Sequence, residues 1–218
     1  VQNSVPIKGF DNYTPHYQFM RALLHTTDDL LVDKEHTTVI SPDEGALDRA
    51  VYFANVLGVD TGMFYKRRDY STIINGKNPI VAHEFLGDNI DGKDVIIIDD
   101  MISTGGSMID TARQLKKMNA KRVFICCTFG LFTDGLDAFD KAYEQCWFDR
   151  IITTNLCYQP PELKEKPYYQ EADMSKFIAT IINFMNHDAP MSDIYTPTDK
   201  IHRILARYNN REENALES

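Results

Sequence analysis

Asp94-Val95-Ile96-Ile97-Ile98-Asp99-Asp100-Met101-Ile102-Ser103-Thr104-Gly105-Gly106-Ser107 is an apolar run that ends in two carboxylates, turns through hydroxyls and glycines, and opens a helix. Val95 to Ile98 is β-branched on both faces, which predicts a strand at the centre of a parallel sheet with both faces covered. Whatever follows that strand lies at the sheet's carboxyl edge, where open α/β sheets bind ligands. The turn from Ser103 to Ser107 can aim several backbone N–H groups at one phosphate, and the helix opening there adds the positive end of its dipole. Asp99 and Asp100 can accept hydrogen bonds from vicinal hydroxyls and hold the waters of a bound Mg²⁺. The combination is suited to a sugar phosphate. The spacing is neither GxxxxGK[ST] nor GxGxxG, so the two common nucleotide-phosphate loops are not indicated.

Outward from this run the chain alternates strands and helices, without repeats or low-complexity tracts, which favours an α/β fold with a mainly parallel central sheet flanked by helices. Upstream, Tyr17 to His25 reads as a helix and Thr37 to Ser41 as a strand stopped by Pro42. Asp43 to Leu57 reads as a helix with Leu47, Ala50, Val51 and Ala54 on one stripe, closed by Gly58. Thr61 to Tyr65 and Val81 to Leu86 are strand candidates, and Asn89 to Gly92 is a turn. Downstream, the helix running to about Met118 should bury Met108, Ile109, Ala112 and Leu115. Then come a strand over Arg122 to Thr128, a helix over Gly135 to Cys146 and a strand over Arg150 to Thr154. A proline-rich loop from Tyr158 to Lys166 leads to a helix over Met174 to Met185 that carries Phe177, Ile178, Ile181 and Ile182. Strands joined by helices of this length should be linked by right-handed crossovers.

The 218 residues suffice for one sizeable core. A net charge of −9 argues against wrapping nucleic acid or coating an anionic membrane, so an anion site must be a local exception. No run is apolar for long enough to span a bilayer and no signal-peptide pattern opens the chain, which suggests a cytoplasmic protein. Cys126, Cys127, Cys146 and Cys157 lack CxxC spacing and are expected to be buried apolar residues rather than zinc ligands or disulfides. The six histidines, from His16 to His202, form no ligand-like pair and are expected at the surface or in loops.

The run from Asp99 to Ser107 closely resembles the phosphoribosyl pyrophosphate (PRPP) motif of the type I phosphoribosyltransferase fold. Three more segments fall in the order and spacing found in the carboxy-terminal half of ribose-phosphate pyrophosphokinases. They are Ser41-Pro42-Asp43-Glu44-Gly45, Lys66-Arg67-Arg68, and Lys121-Arg122-Val123-Phe124 with Cys126-Cys127-Thr128. The similarity runs from about Ile7-Lys8-Gly9-Phe10 to Ser192-Asp193-Ile194. It implies one phosphoribosyltransferase-like domain over 1–218, with 1–15 a connecting segment and 196–218 a peripheral charged tail. It also implies a piece of a longer enzyme, since the family's amino-terminal half, which supplies much of the ATP site, has no counterpart in these residues.

By the same resemblance, Asp99 and Asp100 would contact ribose hydroxyls, and Ser103, Thr104, Gly105, Gly106 and Ser107 would hold the 5-phosphate of ribose 5-phosphate. Lys66 and Arg68 would neutralise the group transferred from ATP, and Asp43 would touch ribose phosphate or Mg²⁺. Read on its own, Asp43 is also a candidate helix N-cap. Lys66-Arg67-Arg68, read alone, could be a solvated basic loop, but it precedes Asp69 to Pro79, a polar stretch without helical period that reads as a mobile flap. Cations swung in on such a flap serve phosphoryl or pyrophosphoryl transfer. The family also implies a homo-oligomer. The chain departs from the family pattern at Ser103, where an acid is usual, at Ser107 in place of Thr, at Ala46 in place of Gly, and at Phe129 in place of His. Two alternatives remain open: a phosphoribosyltransferase that consumes PRPP, and a non-catalytic regulatory relative.

Overall fold

The computed structural model describes residues 12–68, 80–191 and 197–216, with backbone only at 66–68, 80–83 and 210–216. Among the described residues, seven strands form one sheet: β1 (Thr37–Ser41), β2 (Asp60–Arg68), β3 (Ile80–Leu86), β4 (Asp94–Ile102), β5 (Arg122–Gly130), β6 (Arg150–Thr154) and β7 (Tyr169–Ala172). Their spatial order is β3-β2-β1-β4-β5-β6-β7. Every neighbouring pair is parallel except β2 with β3.

Alternation along β4 explains how both faces are used. Val95 and Ile97 enter one core with Met108, Ala112 and Leu115 of α3 (Gly106–Lys117), Phe139 of α4 (Asp137–Glu144) and Leu163 of the short α5 (Pro161–Lys164). Ile96 and Ile98 enter the other. There they meet Phe19 and Leu23 of α1 (His16–Thr26) and Phe53 and Ala54 of α2 (Leu47–Leu57). All five residues of β1 and the first five of β4 are buried, the signature of central strands covered on both sides.

The chain order builds the functional edge. From β1 the chain moves outward through β2 to β3, then returns to place β4 on β1's other side. The winding therefore reverses between β1 and β4, and their last paired residues are Ile40 and Ile97. Beyond that pair the two carboxyl ends part, leaving a crevice at the topological switch point.

Several expectations are corrected. Val51 is not on the buried stripe of α2; it is exposed, and Phe53, Val56 and Leu57 take the buried positions beside Ala50 and Ala54. The proline-rich loop contains α5, and β7, which was not expected, pairs with β6 and joins Tyr169 Oη to Thr153 Oγ1 at 2.9 Å. The apolar stripe of α6 (Ser175–Asn186) holds no fully buried residue: Phe177 and Ile181 are half-buried and Ile182 is 62% exposed. Nor is the charged carboxy-terminal stretch merely peripheral. It forms α7 (Thr198–Leu216), which buries Ile201 completely and Tyr208 to 9% exposure in the second core.

Tyr208 fixes this docking by accepting from Leu30 N at 2.9 Å and donating to Thr27 O at 2.8 Å. Removing the hydroxyl strands a buried amide and a buried carbonyl, at a cost of about 1–3 kcal/mol. Tyr208→Phe should lower the urea midpoint with an unchanged m-value. An unchanged midpoint would mean that α7 adds no stability through this contact.

Candidate active site

The crevice between β1 and β4 takes its first side chains from the exit of β1. Ser41 Oγ donates to Asp43 O at 2.6 Å, and the Asp43 carboxylate accepts from Gly45 N at 2.9 Å. Asp43 thus caps the 3₁₀ turn Glu44–Ala46 that leads into α2, the capping role its position suggests. Because α2 starts at the carboxyl edge, its first turn overhangs the end of β4. Arg49 reaches across from there, with one guanidinium nitrogen 3.2 Å from Asp99 Oδ1 and the other 3.4 Å from Asp100 Oδ2.

Asp99 also accepts from the Asp100 amide at 2.8 Å. Burial pushes its carboxyl up to about 7, and the carboxylates of Asp100 and Asp43 push the same way, against the pull of the amide and of Arg49. Asp99 is therefore poised near neutrality and is sensitive to any cation or hydroxyl that arrives.

One residue beyond β4, the chain makes the glycine-rich turn. Gly105 has φ +86°, and a Cβ there would overlap the ring of Phe139, a fully buried side chain of α4. Glycine is required on both counts. The Gly105 carbonyl accepts from Ile109 N at 3.0 Å, and α3 begins at Gly106. Ser103 O accepts from Thr133 N at 3.0 Å, which ties the turn to the segment after β5. Ser103, Thr104, Gly106 and Ser107 are exposed around buried Gly105, so the turn faces solvent at the head of a 12-residue helix. Met101 and Phe129, paired across β4 and β5, are 45% and 37% exposed beside it.

Asp43, Asp99, Asp100 and the turn from Ser103 to Ser107 thus share one edge of the sheet. Lys66 and Arg68 lie on the part of β2 that continues past its last pair with β1, Ser41 with Met63; their backbones pair with His83 and Ile80 of β3. Their side chains and the stretch Asp69 to Pro79 lie outside the described residues, as do Ile7 to Phe10 and Ser192 to Ile194. No cluster of three or more His, Cys, Asp or Glu suited to a metal occurs among the described residues. Asp43, Asp99 and Asp100 still offer hard oxygen donors of the kind Mg²⁺ takes one or two at a time, alongside water and phosphate oxygens.

The surroundings of two further residues are not apparent in the sequence. Arg49 reads as an ordinary charged residue on a helix; its signal is position, one turn into a helix that starts at the functional edge. His16, expected at the surface, is 1% exposed, stacked on Phe53 at 4.9 Å and tilted against Tyr52 at 5.2 Å. Burial, and to a smaller extent the charge of Arg49, lower its pKa to about 3, so it is neutral at any ordinary pH. Among the cysteines, Cys126 and Cys127 are buried as expected, whereas Cys146 is exposed and Cys157 half-buried.

The sign of linkage at Asp99 is specific. With a folded pKa near 7 against an unfolded 3.8, the native state holds the extra proton, so Asp99 erodes stability as pH rises from about 4 to 7. His16 acts oppositely between about 3 and 6.5, which masks the trend in the wild type. Asp99→Asn isolates it: the melting temperature gained over wild type should grow from pH 4 to pH 7 and then level off. A gain largest at pH 4 would contradict the buried-carboxylate account.

The phosphoribosyl transferase domain family model matches residues 11–165. The chain is similar to the ribose-phosphate pyrophosphokinase of Corynebacterium glutamicum, 36% identical over 72% of this chain and 46% of that protein. It is also similar to that of Thermococcus kodakarensis, 40% identical over 53% of this chain and 39% of the other. The crystal structure of phosphoribosylpyrophosphate synthetase from Mycobacterium smegmatis superposes with a TM-score of 0.58 at 25% identity, covering 70% of this chain and 46% of that one. The chain spans less than half the length of these relatives. No helix among the described residues is long and apolar enough to cross a membrane. The parallel sheet, the acidic pair at its switch point, the glycine turn at the head of α3 and the family match converge: this chain belongs to the phosphoribosyl transferase domain family, in the likeness of the ribose-phosphate pyrophosphokinases.

Proposed function

We propose that this chain is the ribose 5-phosphate-binding part of a ribose-phosphate diphosphokinase, which moves pyrophosphate from Mg-ATP to ribose 5-phosphate to give PRPP and AMP. The observation that carries the reading is the juxtaposition, at one switch point, of a paired carboxylate edge and an open glycine turn at a helix head. That arrangement accommodates both ends of a phosphorylated pentose.

In this reading the 5-phosphate docks on the amides and hydroxyls from Ser103 to Ser107, where the α3 dipole favours a dianion. The ribose hydroxyls donate to Asp99 and Asp100, taking the place of the Arg49 guanidinium. The anomeric hydroxyl oxygen then attacks the β-phosphorus of ATP in line. The O1–Pβ bond forms, the bond from Pβ to the α,β-bridging oxygen breaks, AMP departs with that oxygen, and the hydroxyl proton is released. Lys66 and Arg68, on the projecting end of β2, supply positive charge to the transferred group. Mg²⁺, held by Asp43 together with phosphate oxygens and water, would add charge neutralisation along the polyphosphate. The rest of the ATP site, and the homo-oligomer that the family resemblance implies, belong to the protein as a whole.

A phosphoribosyltransferase is the second reading, favoured by the exposed apolar pair Met101 and Phe129 beside the acids, against which a base could stack. One assay separates the two. The protein as encoded, given Mg-ATP, should release AMP only when ribose 5-phosphate is present, and Lys66→Ala should lower kcat by about 10²–10³-fold, as for loss of a group that stabilises developing charge. Release of pyrophosphate from PRPP and a base, without ATP, would select the second reading.

A further inference from the structure

The order β1-β4-β5 puts different groups on opposite flanks of the acidic pair. On the β5 flank, Ser103 O accepts from Thr133 N at 3.0 Å and Gly105 abuts the ring of Phe139, so the glycine turn is tied toward β5. On the β1 flank stand Asp43, at the exit of β1, and Arg49, in the first turn of α2. Ribose 5-phosphate carries its phosphate on C5 and its anomeric oxygen on C1, with the hydroxyls of C2 and C3 between them. With the phosphate on the turn and those hydroxyls on Asp99 and Asp100, C1 faces the β1 flank. Next on that side lies β2, whose far end carries Lys66 and Arg68.

The arriving sugar changes the circumstances of Arg49. The side chains of Arg49 and Asp99 are 19% and 16% exposed, so the pair is largely withdrawn from water. Hydroxyls that donate to Asp99 and Asp100 compete for the oxygens that hold the guanidinium at 3.2 and 3.4 Å. A cation so shielded and then stripped of its anions is strongly unfavourable. Its helix is fixed: the Asp43 carboxylate caps the turn before α2, and Ala50, Phe53 and Ala54 are buried in the second core. The side chain alone is left to swing. On the same flank, Asp43 already accepts from Gly45 N at 2.9 Å, whereas a phosphoryl group on C1 brings several oxygens that match the planar guanidinium fork.

We propose that Arg49 is a further catalytic residue, a transferable counter-ion that pairs with Asp99 and Asp100 until ribose hydroxyls take those acids and then moves to the pyrophosphoryl group arriving at C1. This role rests on the reaction proposed above and adds a third cation, from the β1 flank, to Lys66 and Arg68. The bonds made and broken are those already described; Arg49 keeps its proton and contributes charge and N–H donors alone. Binding of the sugar thereby frees the cation that the transferred group needs.

Ribose 5-phosphate and PRPP share the phosphate and the C2 and C3 hydroxyls and differ at C1, so comparing them isolates the role. Both are titrated by calorimetry into the protein as encoded and into its Arg49→Gln and Arg49→Lys variants, at one fixed Mg²⁺ concentration. Arg49→Gln should weaken PRPP by at least about tenfold more than it weakens ribose 5-phosphate, as for a lost bidentate charge-assisted contact. Arg49→Lys, which keeps the charge but not the fork, should recover part of that difference. In turnover, Arg49→Gln should lower kcat at saturating ribose 5-phosphate, with partial recovery in Arg49→Lys. Equal weakening of the two ligands would overturn the transfer, leaving Arg49 a partner of carboxylates alone and the sugar site intact. Should Arg49→Gln not fold, Arg49→Lys carries the comparison, and a loss of PRPP affinity no larger than that of ribose 5-phosphate would overturn the transfer equally. Binding of neither ligand by the unsubstituted protein would overturn the sugar site and this role with it.

Discussion

Two adjacent carboxylates, carried past the last β1 partner of a strand buried on both faces and bridged by a single guanidinium, are the constraint around which this molecule is arranged. Asp99 is mostly withdrawn from water, yet Asp100 and Asp43 add negative charge to its surroundings. Such a cluster is unfavourable unless something positive or proton-donating engages it. Arg49 does so at 3.2 and 3.4 Å, distances longer than those of a tight bidentate pair, and it comes from a helix that the Asp43 cap sets in place. The contact offsets part of that charge without locking the acids in place.

The sheet order produces this crowding. Had the chain wound in one direction only, β1 and β4 would not part at their carboxyl ends, and Asp43 and Asp99 would be separated by an intervening connection. The reversal brings the exits of the two most buried strands side by side, and the helices that follow them present their amino ends to the same crevice. The rigidity needed to hold the arrangement comes from the two cores. Phe139, packed edge-on against Phe132 at 5.1 Å, leaves room for Gly105 alone in the turn. A core side chain thereby dictates the curvature of a surface loop.

The parts of the fold that were legible in the sequence are those whose residues answer to one neighbour at a time. Val95 to Ile98 could only be a central strand, Gly58 ends α2 at φ +71°, and the stripe of Met108, Ala112 and Leu115 faces its core. The acids and the glycine turn were legible because they are consecutive in the chain. What was not legible depends on elements far apart in sequence. Arg49 gains its role from β4, fifty residues later. His16 is buried because α2 supplies the rings above it. Tyr208 looks like part of a solvated helix until Thr27 and Leu30 engage its hydroxyl. The α6 stripe shows the converse: its helical period is clear, yet period alone does not supply a surface to cover it.

A crystal structure of the chain with ribose 5-phosphate tests the central claim most directly. The account predicts phosphate oxygens within hydrogen-bond distance of the amides between Ser103 and Ser107, ribose hydroxyls on Asp99 and Asp100, and the Arg49 guanidinium moved off at least one of them. A sugar phosphate bound elsewhere, or Arg49 still spanning both carboxylates while the turn carries no phosphate, would contradict it.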